Sequence, residues 1–121
     1  MSDYRMRLGK YGENLAAQFL IRRGYEIVKR NYYTQFGEID LIARLGDEIL
    51  FAEVKTRTAD KTGLPETAVD RHKLRHLQKA ARIYLNDRGL NCFWRLDIIS
   101  VELNRTTGTA KIKWFNNISL S

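Results

Sequence analysis

Residues 37–56 read Gly37-Glu-Ile-Asp-Leu-Ile-Ala-Arg-Leu-Gly46-Asp47-Glu-Ile-Leu-Phe-Ala-Glu-Val-Lys-Thr56. Two apolar-rich runs, 37–45 and 48–56, flank Gly46-Asp47, the signal of a two-residue hairpin turn. If the turn is that tight, Leu45 lies opposite Glu48, Asp40 opposite Glu53 and Glu38 opposite Lys55. Side chains alternate along a strand, so Glu38, Asp40, Glu53 and Lys55 are then expected on one face. The other face carries Ile39, Leu41, Ala43, Leu50, Ala52 and Val54, a core surface. Facing residues have Cβ atoms about 4.5–5.5 Å apart, and like charges there destabilise the pair. A divalent cation between Asp40 and Glu53 would convert that repulsion into attraction, and hard carboxylate oxygens suit Mg²⁺. Two other readings stand beside this one. Lys55 neutralises Glu38 and Asp40 faces solvent, or a bulge shifts the register and sends these side chains to opposite faces.

Outward from the hairpin, apolar residues at Leu15, Ala16, Phe19 and Leu20 mark a helix over 9–23 that Gly24 closes. Tyr25 to Asn31 reads as a strand, with Tyr25, Ile27 and Lys29 on one face. After the hairpin comes a polar stretch, Arg57 to Glu66, holding Gly63 and Pro65. Leu74, Leu77, Ala81, Tyr84 and Leu85 form the buried stripe of a second helix from an Asp70 N-cap to Arg88, closed by Gly89. Phe93–Val101 and Lys111–Phe115 are the last strands. The expected order is helix, three strands, helix, two strands. This is an α/β fold with a mixed central sheet flanked by helices.

A chain of 121 residues has room for one domain. That domain is expected to span 1–121, with 1–7 as a flexible tail. A composition of 44% hydrophobic and 29% charged residues excludes a disordered or collagen-like chain. Cys92 stands alone, which excludes an internal disulfide or a multi-cysteine zinc site. No apolar run reaches membrane-spanning length, and the N-terminus lacks the apolar segment of a signal peptide. A cytoplasmic protein without membrane partners is expected.

The formal net charge is +7. Residues 37–56 carry a net of −3, while the flanking segments together carry +10. Such a basic surround favours a polyanionic partner, nucleic acid before an acidic membrane. Arg71, Arg75, Lys79 and Arg82 run down one face of the second helix, a pattern that fits contacts to a phosphate backbone and fits a plain solvated face almost as well. His72 and His76 have a zinc-compatible spacing but lack a third ligand and read as polar-face residues. Arg95 and Asp97 share a strand face and are expected to pair. Phe93, Trp94, Trp114 and Phe115 read as core or dimer-interface residues. Tyr32 and Tyr33 are the better aromatic candidates for nucleic-acid contact.

The blocks Gly12-Glu13, Asn31, Gly37-Glu38-Ile39-Asp40-Leu41-Ile42, Phe51-Ala52-Glu53-Val54-Lys55-Thr56-Arg57, Ala68-Val69-Asp70 with Lys73, and Arg95-Leu96-Asp97 resemble the YraN family of small bacterial proteins. Asp40 followed by Glu53-x-Lys55 looks like the signature of the PD-(D/E)XK nuclease superfamily, with archaeal Holliday junction resolvases as similar proteins. Ile39 stands where that signature often has proline. The resemblance implies a restriction-endonuclease-like core and a metal-dependent endonuclease acting on DNA more readily than RNA, including branched or junction DNA. It implies Asp40, Glu53 and Glu13 as metal ligands, Lys55 as the catalytic lysine, and Mg²⁺ as cofactor with Mn²⁺ as a substitute. Glu38 is implied as an accessory group, and Arg57 and Lys73 as nucleic-acid contacts. A homodimer and a protein partner in DNA repair or recombination are further implications. The alternative is a nucleic-acid-binding module that keeps the nuclease fold without activity of its own.

Overall fold

The computed structural model describes residues 2–58 and 71–116. The elements follow in the order α1 (Ser2–Arg22), β1 (Glu26–Thr34), β2 (Gly37–Leu45), β3 (Glu48–Thr58), α2 (Arg71–Asp87), β4 (Phe93–Asn104) and β5 (Thr109–Phe115). The expected element order holds throughout. The proposed Asp70 cap and most of the polar stretch, including Gly63 and Pro65, lie outside the described residues.

The five strands form one sheet in sequence order. β3 and β4 run parallel, and the other neighbours are antiparallel. A parallel pair cannot be joined by a tight turn, and α2 lies in the β3–β4 connection. The helices cover opposite faces of the sheet. Ala16, Ala17 and Leu20 of α1 pack with Leu41, Leu50 and Ile99 in one buried cluster. Leu74, Leu77 and Tyr84 of α2 pack with Ile42, Phe51 and Leu96 in the other. With both faces covered, β2 and β3 bury their apolar residues on each side, which explains their nearly continuous apolar runs.

α1 ends as its sequence predicts. Gly24 takes φ 92°, the Tyr25 N–H donates to the Leu20 carbonyl at 3.1 Å, and the Gly24 N–H donates to Ile21 at 3.0 Å. This closure satisfies carbonyls that the last turn leaves open. The start of α1 corrects the expectation: residues 2–7 are helix, not a separate tail. Residues 3–7 are exposed, so no apolar stripe announced them, although Arg5, Met6, Arg7 and Leu8 are good helix formers.

β1 departs from simple alternation as well. Its register against β2 shifts between Ile27 and Lys29, so Ile27 packs toward α1 while Lys29 pairs with Ile42, which packs toward α2. Arg95 and Asp97 pair as expected, within a larger network. Buried Asp97 accepts from Arg95 Nε at 3.0 Å and from Trp114 Nε1 at 2.7 Å. Arg95 also reaches Glu48 at 2.8 Å and the Tyr25 hydroxyl at 3.0 Å. Trp94 and Trp114 pack against the two core clusters, whereas Phe93 is 80% exposed.

Candidate metal centre

The hairpin keeps its predicted register from Leu45↔Glu48 to Leu41↔Ala52, and the paired ladder stops there. Asp40 does not face Glu53. Its Oδ2 accepts the Val54 N–H at 2.8 Å, so the side chain takes up a donor at the end of the ladder. On the other side of β2, the pairs Arg30↔Leu41 and Tyr32↔Ile39 flank Asn31, which adopts the left-handed φ of 53°. Asparagine tolerates that conformation better than most residues.

This irregularity reverses the faces of both strands together. Ile42 and Ile39 both pack toward α2 although they are three residues apart, while Leu41 packs toward α1. In β1, Arg30 donates to Asn14 of α1, yet Tyr32 stacks edge-on against Tyr84 of α2. The expectation that Glu38, Asp40, Glu53 and Lys55 share one face is therefore corrected. Glu38 and Asp40 turn toward α1, whereas Glu53 is held by Lys73 of α2, with Nζ to Oε1 at 2.8 Å. Lys55 lies on Glu53's side, 3.8 Å from Oε2. Ile39, assigned to the Leu41 face, belongs to the other one for the same reason.

The reversal brings Glu38 and Asp40 to Glu13 of α1. One carboxylate oxygen from each of these three lies within 4.8 Å of the others. Gly12 makes the approach of α1 feasible: a Cβ there would lie 1.8 Å from Thr56 Oγ1 of β3. Asn31 bridges the trio, its Nδ2 donating to Glu13 Oε1 at 3.2 Å and to Glu38 Oε2 at 3.4 Å. Sequence reasoning left Asn31 out of the site, and its left-handed backbone gives no sign in the residue pattern beyond asparagine itself.

Electrostatically the trio is unfavourable without a cation. Burial pushes the Asp40 carboxyl up to about 8. The Val54 N–H opposes that rise, while a hydrogen bond from the protonated Asp40 carboxyl to Glu38 and the charges of Glu13 and Glu38 add to it. Hard, converging carboxylate oxygens with room for added waters suit a divalent ion such as Mg²⁺. Across the sheet, Glu53 is 7% exposed, and its Oε2 has no hydrogen-bond partner among the described residues.

A pH dependence follows. Between the ordinary aspartate pKa near 3.8 and the folded value of about 8, the folded protein holds a proton that the unfolded chain has released. The contribution is fully present below the lower value and is lost as pH rises through the upper one. In EDTA, wild type should lose heat stability relative to Asp40→Asn from pH 5 to pH 8.5, and Mg²⁺ should restore part of the loss. A difference between the two proteins that stays flat with pH would contradict this.

The remaining candidates lie outside this trio, those of α2 on the other face of the sheet. Arg71, Arg75, Lys79 and Arg82 are exposed along α2, with Lys79 5.1 Å over the Phe36 ring and Arg82 5.5 Å over Trp94. Arg57 pairs with Glu102 at 3.8 Å. The His72 and His76 rings lie 4.1 Å apart, and neither belongs to a group of three metal-ligating side chains among the described residues. Tyr32 is packed on Tyr84. Tyr33 is 73% exposed, and its hydrogen bond to Glu38 raises its hydroxyl pKa.

Comparison with known proteins adds a family. The sequence model of uncharacterised protein family UPF0102 matches residues 12–101. A UPF0102 protein of Syntrophus aciditrophicus is 46% identical over 99 residues, which cover 81% of this chain and 78% of the relative. Another, from Caldicellulosiruptor saccharolyticus, is 42% identical over 98 residues, covering 80% and 83%. A third, from Moorella thermoacetica, is 40% identical over 116 residues, covering 93% and 95%. The family match begins at Gly12, beside Glu13, and takes in Asn31, Glu38, Asp40, Glu53 and Lys55.

Proposed function

The chain belongs to the uncharacterised protein family UPF0102, and we propose that it is a Mg²⁺-dependent endonuclease acting on DNA, branched or junction DNA included, with the PD-(D/E)XK type of core. The observation that carries this reading is the convergence of Glu13, Glu38 and Asp40 from two elements at the open end of the β2–β3 hairpin. Three carboxylates brought this close are costly to fold unless something positive is held between them.

Asp40 spends Oδ2 on the Val54 amide, which orients its other oxygen for a cation. Glu13 and Glu38 supply further oxygens, and the Asn31 amide holds both carboxylates in place. These residues would hold Mg²⁺, which would supply Lewis-acid activation of a phosphate and of an attacking water. In this reading Glu38 takes the third ligand place that the superfamily resemblance gives to Glu53. Glu53 reaches the ion only by giving up its 2.8 Å contact with Lys73. The resemblance assigns the attacking water or phosphate to the Lys55 ammonium, but here Lys55 lies with Glu53 on the other side of the sheet, 3.8 Å from its carboxylate, so this arrangement does not fill that role. The exposed row on α2 supplies backbone affinity without sequence preference. Mn²⁺ substitutes for Mg²⁺, and a junction with two symmetric scissile strands calls for a homodimer.

Titrating Mg²⁺ and Mn²⁺ against heat stability tests the ligand set. Glu38→Gln should weaken the metal-induced rise about tenfold or more in metal concentration, and Glu53→Gln much less. The reverse ranking would restore Glu53 as the ligand. A panel of junction, flap, single-stranded and duplex DNA with each metal tests the activity.

A second reading is a nucleic-acid-binding module of the same fold without turnover of its own, acting alone or with a protein partner in DNA repair or recombination. One observation favours it: Glu53 is already neutralised by two lysines, as a site with no cation would require. Absence of any metal response in stability or cleavage would select it.

A further inference from the structure

Beside the carboxylates lies a cavity of about 570 Å³ between the N-terminal half of α1 and the far end of β3. Its acidic end is Glu13 and Asp40. Its other walls include Tyr4 and Arg5 of α1, Arg57 of β3, and Arg105 just after β4. Three arginines along a channel that opens onto two carboxylates match a phosphate chain leading to a metal centre. Arg105 lies with Cζ 5.0 Å over the Tyr4 ring, so the aromatic wall already accepts a planar partner. Tyr4 is 42% exposed, which leaves ring surface to offer.

Gly9 is the second, independent observation. It sits in the interior of a 21-residue helix, where glycine destabilises relative to alanine. Among the described residues no neighbour demands it: an added Cβ would meet nothing within 4 Å. Gly12, one turn on, is different, because Thr56 packs directly against it. Gly9 lines the cavity, so the missing side chain leaves helix backbone bare to whatever enters. Glycine at such a place marks close approach by a ligand.

Building on the nuclease reading, we propose that this cleft takes one unpaired DNA strand, threaded over Gly9 with a base on Tyr4 and its phosphates toward Arg5, Arg57 and Arg105. A cleft of about 570 Å³ has the dimensions of one nucleotide with its flanking phosphates, which a splayed single strand offers and a stacked, paired base does not. Aromatic stacking beside a cationic channel is how proteins hold single strands without reading sequence. The substrate class is therefore DNA with an unpaired segment next to the scissile phosphate.

The test is equilibrium binding of fluorescent oligothymidine, and of a duplex of equal length, to the full-length protein in EDTA. Without metal no cleavage occurs, so the result is separable from failure of the nuclease reading. Tyr4→Ala should weaken oligothymidine binding about five- to 100-fold, and Tyr4→Phe should restore it. Gly9→Phe, which fills the cleft and meets no atom of the described residues at its Cβ, should weaken it at least about tenfold without lowering heat stability. Tyr11→Ala, on the same helix but away from the cleft, should stay within about twofold, and duplex binding should change little in any variant. Oligothymidine binding indifferent to both Tyr4→Ala and Gly9→Phe would overturn the assignment, as would equal losses with duplex. Tighter, Tyr4-dependent binding of oligouridine would overturn the choice of DNA.

Discussion

Asp40→Ala is expected to reduce Mg²⁺-dependent DNA cleavage by about 100-fold or more while the protein stays folded. Asp40 occupies the break in the β2–β3 ladder, and burial pushes its carboxyl up to about 8. Removing it leaves Glu13 and Glu38 with one fewer oxygen to share and with nothing fixed to the Val54 amide. Two terms set the stability change, with opposite signs. The Val54 N–H loses its 2.8 Å acceptor, which costs about 1–3 kcal/mol if no water replaces it. Against that, a carboxylate disfavoured by burial and by two like charges is gone. The metal-free variant should therefore melt close to wild type near pH 8. Asp40→Asn, which keeps an acceptor for Val54, separates the terms: it should be as inactive as Asp40→Ala and more stable. Cleavage that survives both substitutions would place the chemistry elsewhere.

Gly12→Ala is expected to lower stability by about 1–3 kcal/mol, the usual cost of overpacking a close contact. The new methyl would lie 1.8 Å from Thr56 Oγ1 and 2.8 Å from both Thr56 Cβ and Cγ2. Threonine is stiff about χ1, so α1 must lift from β3 for the methyl to fit. Elsewhere in a helix the same change would stabilise, because alanine is the better helix former. The opposite sign here measures the packing. For a domain of this size the expected fall in Tm is roughly 3–15 °C. Thr56→Ala in the same chain removes Oγ1 and Cγ2 and should recover part of the loss, leaving the 2.8 Å approach to Cβ. Lifting α1 also carries Glu13 away from Glu38 and Asp40, so metal affinity should fall with stability. A variant as stable as wild type would mean that α1 does not dock as described.

Most of the architecture was legible in the residues, because each element carries a local signal. The Gly46-Asp47 turn set the register of five residue pairs. Apolar periodicity marked α2, and glycines closed both helices where their positive φ values now stand. What escaped were features with no local signal. The first turns of α1 are exposed and show no apolar stripe. The cleft beside the carboxylates joins Tyr4 and Gly9 to Arg57 and Arg105, residues from opposite ends of the chain. No spacing rule links them.

The candidate site divides along the same line. Glu38, Asp40, Glu53 and Lys55 stand out in the sequence as charges inside an apolar hairpin, and Glu13 came with the family resemblance. Composition and hairpin pattern together determine an α/β sheet with an acidic centre in a basic chain. They could not say which acids meet. Strand alternation is a rule of period two, and a single irregularity reverses every side chain beyond it. Asn31 at φ 53° and Asp40 bound to the Val54 amide supply that irregularity. It sends Glu38 and Asp40 to Glu13 on one side of the sheet and leaves Glu53 with Lys73 on the other. The tertiary structure decided this because the reversal depends on hydrogen bonds between separate strands, and on a helix that Gly12 lets close against Thr56.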